Sequence, residues 1–189
     1  HNQLLEILQN VRDKRISIVT GLGVNDQRLQ KILAQIGDQK IKFLVSAEST
    51  GKYFEFIRYG LKWEDFQKRV RMIESAGHKV EFISTLSNLA YMDIHNFLMM
   101  FQDRFKIQQN GMTGRDFMLP HVMDDESKDE CRKQFALLGN KSLSDAIDKE
   151  PTEIDRKNIA NYLAQISKRR GVDLNFLPKH FLKWCELTK

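Results

Sequence analysis

Polar and charged side chains follow the predicted strands of this sequence, at the points where each strand passes into a loop. They comprise one carboxylate, one guanidinium and several hydroxyl and amide groups. Such a set can bind a ribose, an amino acid or an adenine edge, because Glu48 can accept hydrogen bonds from hydroxyls and Arg58 can pair with a carboxylate. It contains no evident nucleophile. The candidate site residues are Thr20, Ser46, Glu48, Arg58, Thr85, Ser87 and Asn88.

Each candidate residue also has a purely structural interpretation. Ser, Thr and Asn after a strand commonly cap the next helix. Glu48 and Arg58 could pair with each other on the surface, and such a pair contributes little to stability. The two glycines of "GLG" (21–23) are too few for a phosphate-binding loop. The sequence alone therefore leaves the structural and the binding interpretations open.

The thiols, imidazoles and clustered carboxylates form no recognisable motif. Cys131 and Cys185 lie too far apart for a CxxC motif, and two cysteines cannot hold an iron–sulfur cluster or a structural zinc by themselves. "MDDESKDE" (123–130) is interpreted as the solvated acidic start of a helix, unsuited to acid–base catalysis, although a divalent cation could be attracted there. No pair of histidines has the spacing of metal ligands, and the five are His1, His78, His95, His121 and His180.

Four segments have the pattern of buried strands, and helical patterns separate them. The strands are predicted at Ile16 to Thr20, at Lys40 to Ser46, in "HKVEFISTLSN" (78–88) and, more weakly, in "FKIQQ" (105–109). Alternation of strands and helices at about 30-residue spacing predicts parallel strands joined by right-handed crossovers. The carboxyl ends of such strands meet at one edge of the sheet, where ligands bind.

Four helices are predicted between and before these strands. One opens the chain, with Leu4, Leu5, Leu8 and Val11 on one face. The second is capped by Asn25 and stopped by Gly37. The third begins near Trp63 and is closed by Gly77. The fourth covers 91–104, where Met92, Phe97, Met99, Met100 and Phe101 are expected to pack in the core.

The strand and helix rhythm stops after residue 110. Segments 125–139 and 151–171 are predicted to be helices, the second with a capping box of Thr152 and Asp155 and with "KRR" (168–170) at its carboxyl end. The tail from Asp173 to Lys189 is expected to dock on the rest of the chain. The predicted division is 1–110 and a helical extension, 111–189.

Composition excludes several classes of protein. The 189 residues are 41% hydrophobic and 29% charged, and no apolar run is long enough to cross a membrane. The net charge of +5 is spread, with ten Lys/Arg against seven Asp/Glu in 141–189, so a nucleic-acid partner is not expected. Two thiols and no secretory signal favour a cytoplasmic protein.

Two long stretches resemble radical S-adenosylmethionine (SAM) enzymes, in particular the sub-group with a shortened "twitch" domain. They are "FLVSAESTGKYFEFIRYGLKWEDFQKRV" (43–70) and "VEFISTLSNLAYMDIHNFLMMF" (80–101). The family pattern is Ser-x-(Asp/Glu)-x-x-Gly, then "YIRYG", a Trp-led helix and a "T-x-SN" strand end. "VTGLG" (19–23) is similar to the family's "TNG" strand end, with Gly21 in place of Asn. The resemblance covers about residues 1–110.

The resemblance implies a partial (β/α)6 barrel in 1–110 that binds SAM at the carboxyl ends of its strands. Ser46 and Glu48 would face the ribose or methionine part of SAM, and Arg58 its carboxylate. Thr85, Ser87 and Asn88 would lie near the nucleoside, and Thr20 is counted with the cofactor-binding set. In the family, SAM is cleaved reductively at a [4Fe–4S] cluster to a 5′-deoxyadenosyl radical, which abstracts hydrogen from a substrate.

Two further motifs of the family do not occur in this sequence: the CxxxCxxC loop that holds the cluster and the "GGEP" turn. The resemblance places both upstream of His1, so the cluster is expected only in a full-length parent, and the chain as given is expected to be inactive. The barrel would then have an open edge, through which a homodimer could form. The substrate, a small molecule or a peptide, is not indicated.

Two other functions remain compatible with the sequence. One is a degenerate barrel that acts as a binding or scaffold module without radical chemistry. The other is an ordinary nucleotide-binding α/β domain, in which the motif match is accidental. An upstream Cys triplet would support the enzyme, whereas binding of a common nucleotide in place of SAM would support the last.

Overall fold

The computed structural model describes residues 15–188. The predicted opening helix with Leu4, Leu5, Leu8 and Val11 lies outside the described residues. Among those described, no helix is both long enough and apolar enough to cross a lipid bilayer.

Four parallel strands form one sheet in the order β1-β2-β3-β4. Strand order therefore equals chain order, so every crossover steps to the next strand in the same direction. Crossovers of one hand then place the connecting helices on a single face of the sheet. The prediction of an α/β fold with parallel strands is confirmed, whereas the partial (β/α)6 barrel that the resemblance implies stays a prediction. The strands are β1 (Ile16–Thr20), β2 (Ile41–Ser46), β3 (Lys79–Leu86) and β4 (Lys106–Gly111).

The helix-covered face of the sheet carries the core. Phe43 and Val45 of β2 are buried there, and Phe82 of β3 is fully buried. The Phe82 ring lies 5.0 Å from Phe101 and 5.1 Å from Phe105, centroid to centroid. Aromatic rings at such distances contribute beyond the area they bury, so this cluster fixes the helix that follows β3 against the sheet.

The opposite face of the sheet, called the open face, is only partly covered. It carries Val19 of β1, which is 66% exposed, and a charged group in the middle of the sheet. Glu81 of β3 pairs with Lys79 at 2.8 Å and with Lys42 at 3.5 Å, and it accepts a hydrogen bond from Gln108 at 3.2 Å. The hydrogen bond from Lys79 and the nearby lysines lower the pKa of Glu81. The open face is therefore polar at its centre and apolar toward β1.

Between residues 15 and 110, the described part of the first half, the chain contains five helices. The caps of the first were predicted correctly: Asn25 Oδ1 accepts from the Arg28 N–H at 2.9 Å, and Gly37 ends the helix with φ +61°. The second of the five was not predicted from the sequence. These helices are α1 (Asp26–Ile36), α2 (Gly51–Ile57), α3 (Trp63–Ser75), α4 (Asn88–Tyr91) and α5 (Ile94–Phe101).

The prediction of one continuous helix over 91–104 is wrong. Asp93, with φ −136°, separates α4 from α5. Its carboxylate accepts hydrogen bonds from the backbone N–H of Thr50 at 2.5 Å and from the Thr50 hydroxyl at 2.9 Å. These bonds tie the break to the segment before α2. The core placement of Met99 and Met100 is also wrong, since they are 68% and 45% exposed, while Phe97 and Phe101 are buried as predicted.

The second half of the chain is helical and packs on the first. The capping box of Thr152 and Asp155 is confirmed. The tail docks as predicted, with Phe181 fully buried. The Tyr91 and Phe135 rings meet at 5.4 Å across the two halves, and the division at residue 110 stays a prediction. The helices are α6 (Asp125–Leu137), α7 (Lys141–Asp145), α8 (Glu153–Arg170) and α9 (Lys179–Trp184).

The start of α6 is an acidic and largely solvated segment, as predicted, with Asp125, Glu126, Asp129 and Glu130 exposed, but two of its charged side chains are buried. Asp124 is only 9% exposed and Lys128 only 1%. Asp124 caps the helix by accepting from the Ser127 N–H at 3.1 Å, and Lys128 Nζ donates to the Lys149 carbonyl at 3.1 Å. The turn after α7 thus covers the Lys128 side chain. The helical pattern of 125–137 alone could not predict this contact.

Candidate functional site

The carboxyl ends of the four strands meet at one edge of the sheet, as their parallel direction requires. Thr20 ends β1 and lies beside Val45, and Ser46 ends β2 beside Ile83. Thr85 lies near the end of β3, beside Asn110 of β4. The segments that follow β2 and β3 supply Glu48, Ser87 and Asn88.

A cavity of about 200 Å³ lies at this edge and is called the strand-end pocket. Three of the seven candidate residues line it: Glu48, Thr85 and Ser87. Glu48 and Ser87 are 2% and 4% exposed, whereas Thr85 is exposed. These three residues supply one carboxylate and two hydroxyl groups to the pocket. The rest of the lining is Phe56, Ile57, Leu89, Met112, Arg115, Met118 and Tyr162.

Glu48 and Arg58 form a two-point ion pair beside the strand-end pocket. Arg58 Nε donates to Glu48 Oε1 at 3.1 Å, and Nη2 donates to Oε2 at 2.5 Å. Glu48 and Arg58 therefore pair, as one interpretation of the sequence allowed. The pair is not on the surface, however, since the Glu48 side chain is 3% exposed and that of Arg58 23%. Because Nη2 donates to Glu48, the prediction that Arg58 binds a ligand carboxylate now rests on Nη1, its other terminal nitrogen.

Burial and the ion pair act on the pKa of Glu48 in opposite directions. Loss of hydration raises the pKa above its ordinary value of 4.5. The positive charge of Arg58, its hydrogen bonds and one from the Thr85 backbone lower it, but burial has the larger effect. Arg58 thus offsets part of the effect of burial on this carboxyl group.

The other candidate residues do not line the strand-end pocket. Thr20 Oγ1 accepts from the Leu22 N–H at 3.0 Å, which stabilises the turn after β1. Asn88 is fully buried, and its Nδ2 donates to the carbonyls of Phe117 and Val122 at 3.1 and 3.0 Å. Ser46 is half-buried. Asn88 thus holds the loop that contributes Met112, Arg115 and Met118, and it keeps no amide hydrogen for a ligand.

Seven lining residues of the strand-end pocket were not among the candidates, and four of these lie beyond residue 110. Met112, Arg115 and Met118 belong to the loop after β4, and Tyr162 belongs to α8. The Phe117 ring lies 5.7 Å from Tyr162, which joins loop and helix. Its place after a strand predicted that the loop returns past the mouth of the sheet, but the loop has no periodic pattern that would single out these residues.

A cluster of Asp124, Glu126 and His180 brings three possible metal-ligand atoms within 4.8 Å of one another. Fifty-six positions separate Asp124 from His180, so sequence spacing could not reveal it. His180 Nδ1 is 2.8 Å from Asp124 Oδ1, and that oxygen also accepts from the Ser127 N–H. The positive end of α6 disfavours a cation here. We interpret the cluster as a helix cap that docks α9.

The two cysteines are expected to be unreactive in the folded chain. Both are buried, and loss of hydration together with nearby carboxylates raises the pKa of each thiol to about 12. Cys131 Sγ also donates to the Tyr91 carbonyl at 3.4 Å. Since the thiolate is the nucleophile, a disulfide reagent at pH 8 should modify neither cysteine without denaturant and both in guanidinium chloride. Rapid modification of native protein would show that one of them is more accessible than described.

Comparison with known proteins finds likenesses among solved structures but no sequence match. No family model matches the chain, and no curated protein does. Among solved structures, a domain of pyruvate-formate lyase-activating enzyme from Bacteroides vulgatus ATCC 8482 is similar at a TM-score of 0.47 and 13% identity. The likeness covers 73% of this chain and 86% of that one. At that level it is not a basis for assigning a function.

Proposed function

We propose that this chain is part of a radical SAM enzyme and that the strand-end pocket, with Arg58 beside it, binds part of S-adenosylmethionine. The observation that carries the proposal is the buried Glu48 carboxylate after β2, oriented by Arg58 toward a pocket shared with Thr85 and Ser87. The sequence motif around Ser46, Glu48 and Arg58 supports the same family.

The chemistry of the pocket suits a ribose. An ionised carboxylate accepts strong hydrogen bonds, and a ribose offers two neighbouring hydroxyl donors. Thr85 of β3, the strand next to β2, adds a hydroxyl group. Ser87 already caps α4, since its Oγ accepts from the Ala90 N–H at 3.2 Å, and its free hydroxyl hydrogen can still be donated. We assign Glu48 to the ribose hydroxyls and Thr85 and Ser87 to the nucleoside.

The size of the pocket limits what it can hold. Its volume of about 200 Å³ is below the roughly 300–1,000 Å³ typical of small-molecule sites. It therefore suits a part of the cosubstrate, with the methionine portion extending past Arg58. The bound cosubstrate would supply the hydrogen-abstracting species. The residues assigned here would bind and orient it.

The [4Fe–4S] cluster of the proposed family does not fit the cysteines of this chain. The sequence contains only Cys131 and Cys185. Both thiols are buried in the core with raised pKa values, whereas cluster ligands are thiolates. A cluster would therefore need ligands from outside these 189 residues, and no step through it is assigned to this chain.

Titration of the chain with SAM and with ATP, followed by calorimetry and ligand-observed NMR, tests the proposal. SAM should bind and ATP should not. Glu48→Gln should weaken SAM binding about tenfold or more, because a hydrogen bond to a charged group contributes about 1.5–3 kcal/mol. Glu55→Gln is the matched control, because Glu55 pairs with Lys52 and Lys62 away from this pocket. Absence of SAM binding, or equal loss in both variants, would contradict the proposal, and equal ATP binding would favour an ordinary nucleotide-binding domain.

A further inference from the structure

A second depression lies on the other side of Arg58 and is called the arginine groove. It is an open groove of about 570 Å³ between the turn after β1 and the turn after α2. Arg58 and Arg170 both line it, and none of its described lining residues is acidic. The two guanidinium groups come from distant parts of the chain, since Arg170 ends α8. The other residues used below are Gly21, Tyr59 and Gly60.

Arg58 reaches the arginine groove with part of its hydrogen-bonding capacity unused. Its Nε and Nη2 donate to Glu48, which fixes the plane of the guanidinium. Nη1 points to the turn after β1, because a Cβ added to Gly21 would lie 3.9 Å from it. In the described part of the chain, Nη1 has no hydrogen-bond partner of its own. The ion pair thus orients a donor toward the groove.

Arg170 is a fixed cation without a carboxylate partner among residues 15–188. Its Nη1 donates to the Phe56 carbonyl at 2.8 Å, and its guanidinium lies 4.6 Å from the centre of the Tyr59 ring. A carbonyl and an aromatic face orient a cation but do not neutralise it. Nε and Nη2 have no hydrogen-bond partner within the same residues and can donate to a ligand. Arg58 is balanced by Glu48, so the charge of Arg170 is the one that an anion would balance.

The backbone around the arginine groove leaves room for a ligand. Gly21 faces Arg58 without a side chain, and Gly60 adopts φ +90°, a conformation that residues with a Cβ rarely adopt. A larger residue at Gly21 would contact the guanidinium and occupy the space beside Nη1. Two preoriented guanidinium groups facing a glycine-lined wall match the planar or tetrahedral oxygens of a carboxylate or phosphate.

We infer that the arginine groove is an oxyanion-binding site in which Arg58 and Arg170 hold one carboxylate or phosphate group between them. Arg170, contributed by the carboxyl-terminal half, is the second binding residue. The site is defined by charge and geometry whether or not the chain binds SAM. If the proposed function holds, the anion is the SAM carboxylate, and otherwise it is the anionic group of another ligand.

The test uses three ligands: inorganic sulfate, SAM, and 5′-methylthioadenosine, which has the nucleoside but no carboxylate. Sulfate binding is followed through the ¹⁵N signals of the arginine side chains, and the nucleosides by calorimetry. Arg170→Gln should weaken sulfate and SAM about tenfold and leave 5′-methylthioadenosine unchanged, since one charge-assisted contact is worth at least that factor. Arg169→Gln, an exposed neighbour outside the groove, should change none of the three.

Each result separates the inference from the proposed function. Sulfate binding that depends on Arg170, without SAM binding, would leave the oxyanion site and remove the cosubstrate assignment. SAM binding that Arg170→Gln does not weaken would overturn the oxyanion site and leave the proposed function. If Arg169→Gln weakens sulfate binding as much as Arg170→Gln does, the loss reflects net charge, and the oxyanion site is overturned as well. If Arg170→Gln unfolds on heating well below the parent, Arg170→Lys, which keeps the charge, should retain sulfate binding.

Discussion

Replacement of Arg58 by Met is expected to destabilise the folded chain by about 3 kcal/mol at pH 8, because removal of one partner leaves a buried charge without compensation. The Glu48 side chain is 3% exposed, and Arg58 donates two hydrogen bonds to its carboxylate. Replacement of both residues, by Glu48→Gln and Arg58→Met, should recover most of the loss, since no uncompensated charge then remains.

The loss in Arg58→Met should depend on pH in a defined direction. Burial already raises the pKa of Glu48 in the folded chain above 4.5, and removal of the guanidinium raises it further. A folded state that binds the proton more tightly than the unfolded state loses stability as pH rises from the unfolded pKa through the folded one. Urea denaturation should therefore show a smaller loss at pH 5 than at pH 8.

A surface ion pair provides the control for this experiment. Arg104 and Glu74 meet at 3.3 Å with side chains that are 60% and 31% exposed. Exposed pairs contribute about 0–1 kcal/mol, so Arg104→Met should change stability little and without this pH dependence. Equal losses in Arg58→Met at pH 5 and pH 8 would show that Glu48 remains well hydrated.

Replacement of Asn88 by Ala is the second change with a large expected effect, about 2 kcal/mol of stability. The substitution removes both hydrogen bonds to the carbonyls of Phe117 and Val122 and the one that Oδ1 accepts from the Leu89 N–H at 2.9 Å. These groups are inaccessible to water around a fully buried side chain. Residues 112–123 should then become mobile, and the strand-end pocket should lose part of its wall.

Hydrogen exchange followed by mass spectrometry, together with urea denaturation, measures both parts of this prediction. Peptides covering 112–123 should exchange faster in Asn88→Ala, while those covering β2 and β3 should change little. Asn175→Ala is the control, because Asn175 is exposed and donates within its own turn to Asp173. Unchanged exchange in 112–123 would mean that the contact of Phe117 with Tyr162 holds the loop without Asn88.

The spacing of hydrophobic residues along the sequence, together with the capping residues, was sufficient to predict the strands and most of the helices. β1 was predicted with its bounds, because Ile16 to Thr20 is bordered by charge and glycine, and α1 with both caps. The unpredicted break at Asp93 depends on Thr50, 43 positions away. A helical pattern carries no information about such a partner, so the sequence of 91–104 predicted one continuous helix.

The candidate site was predictable only where it follows from strand direction. Glu48, Thr85 and Ser87 lie together because parallel strands end at one edge. The pairing of Glu48 with Arg58 depends on α2, a helix that was not predicted. Arg170 was interpreted only as a cation at a helix end, and its approach to Tyr59 depends on how the two halves pack.

The polar centre of the open face has a consequence for the behaviour of this chain in solution. A bare sheet of Val, Leu and Ile would adhere to any similar surface, whereas Lys42 and Lys79, which pair with the buried Glu81 and remain partly exposed, must stay hydrated or find matched partners. These charges thus oppose non-specific association through the open face. Colloidal stability should consequently fall when strong salt weakens the lysine repulsion between molecules.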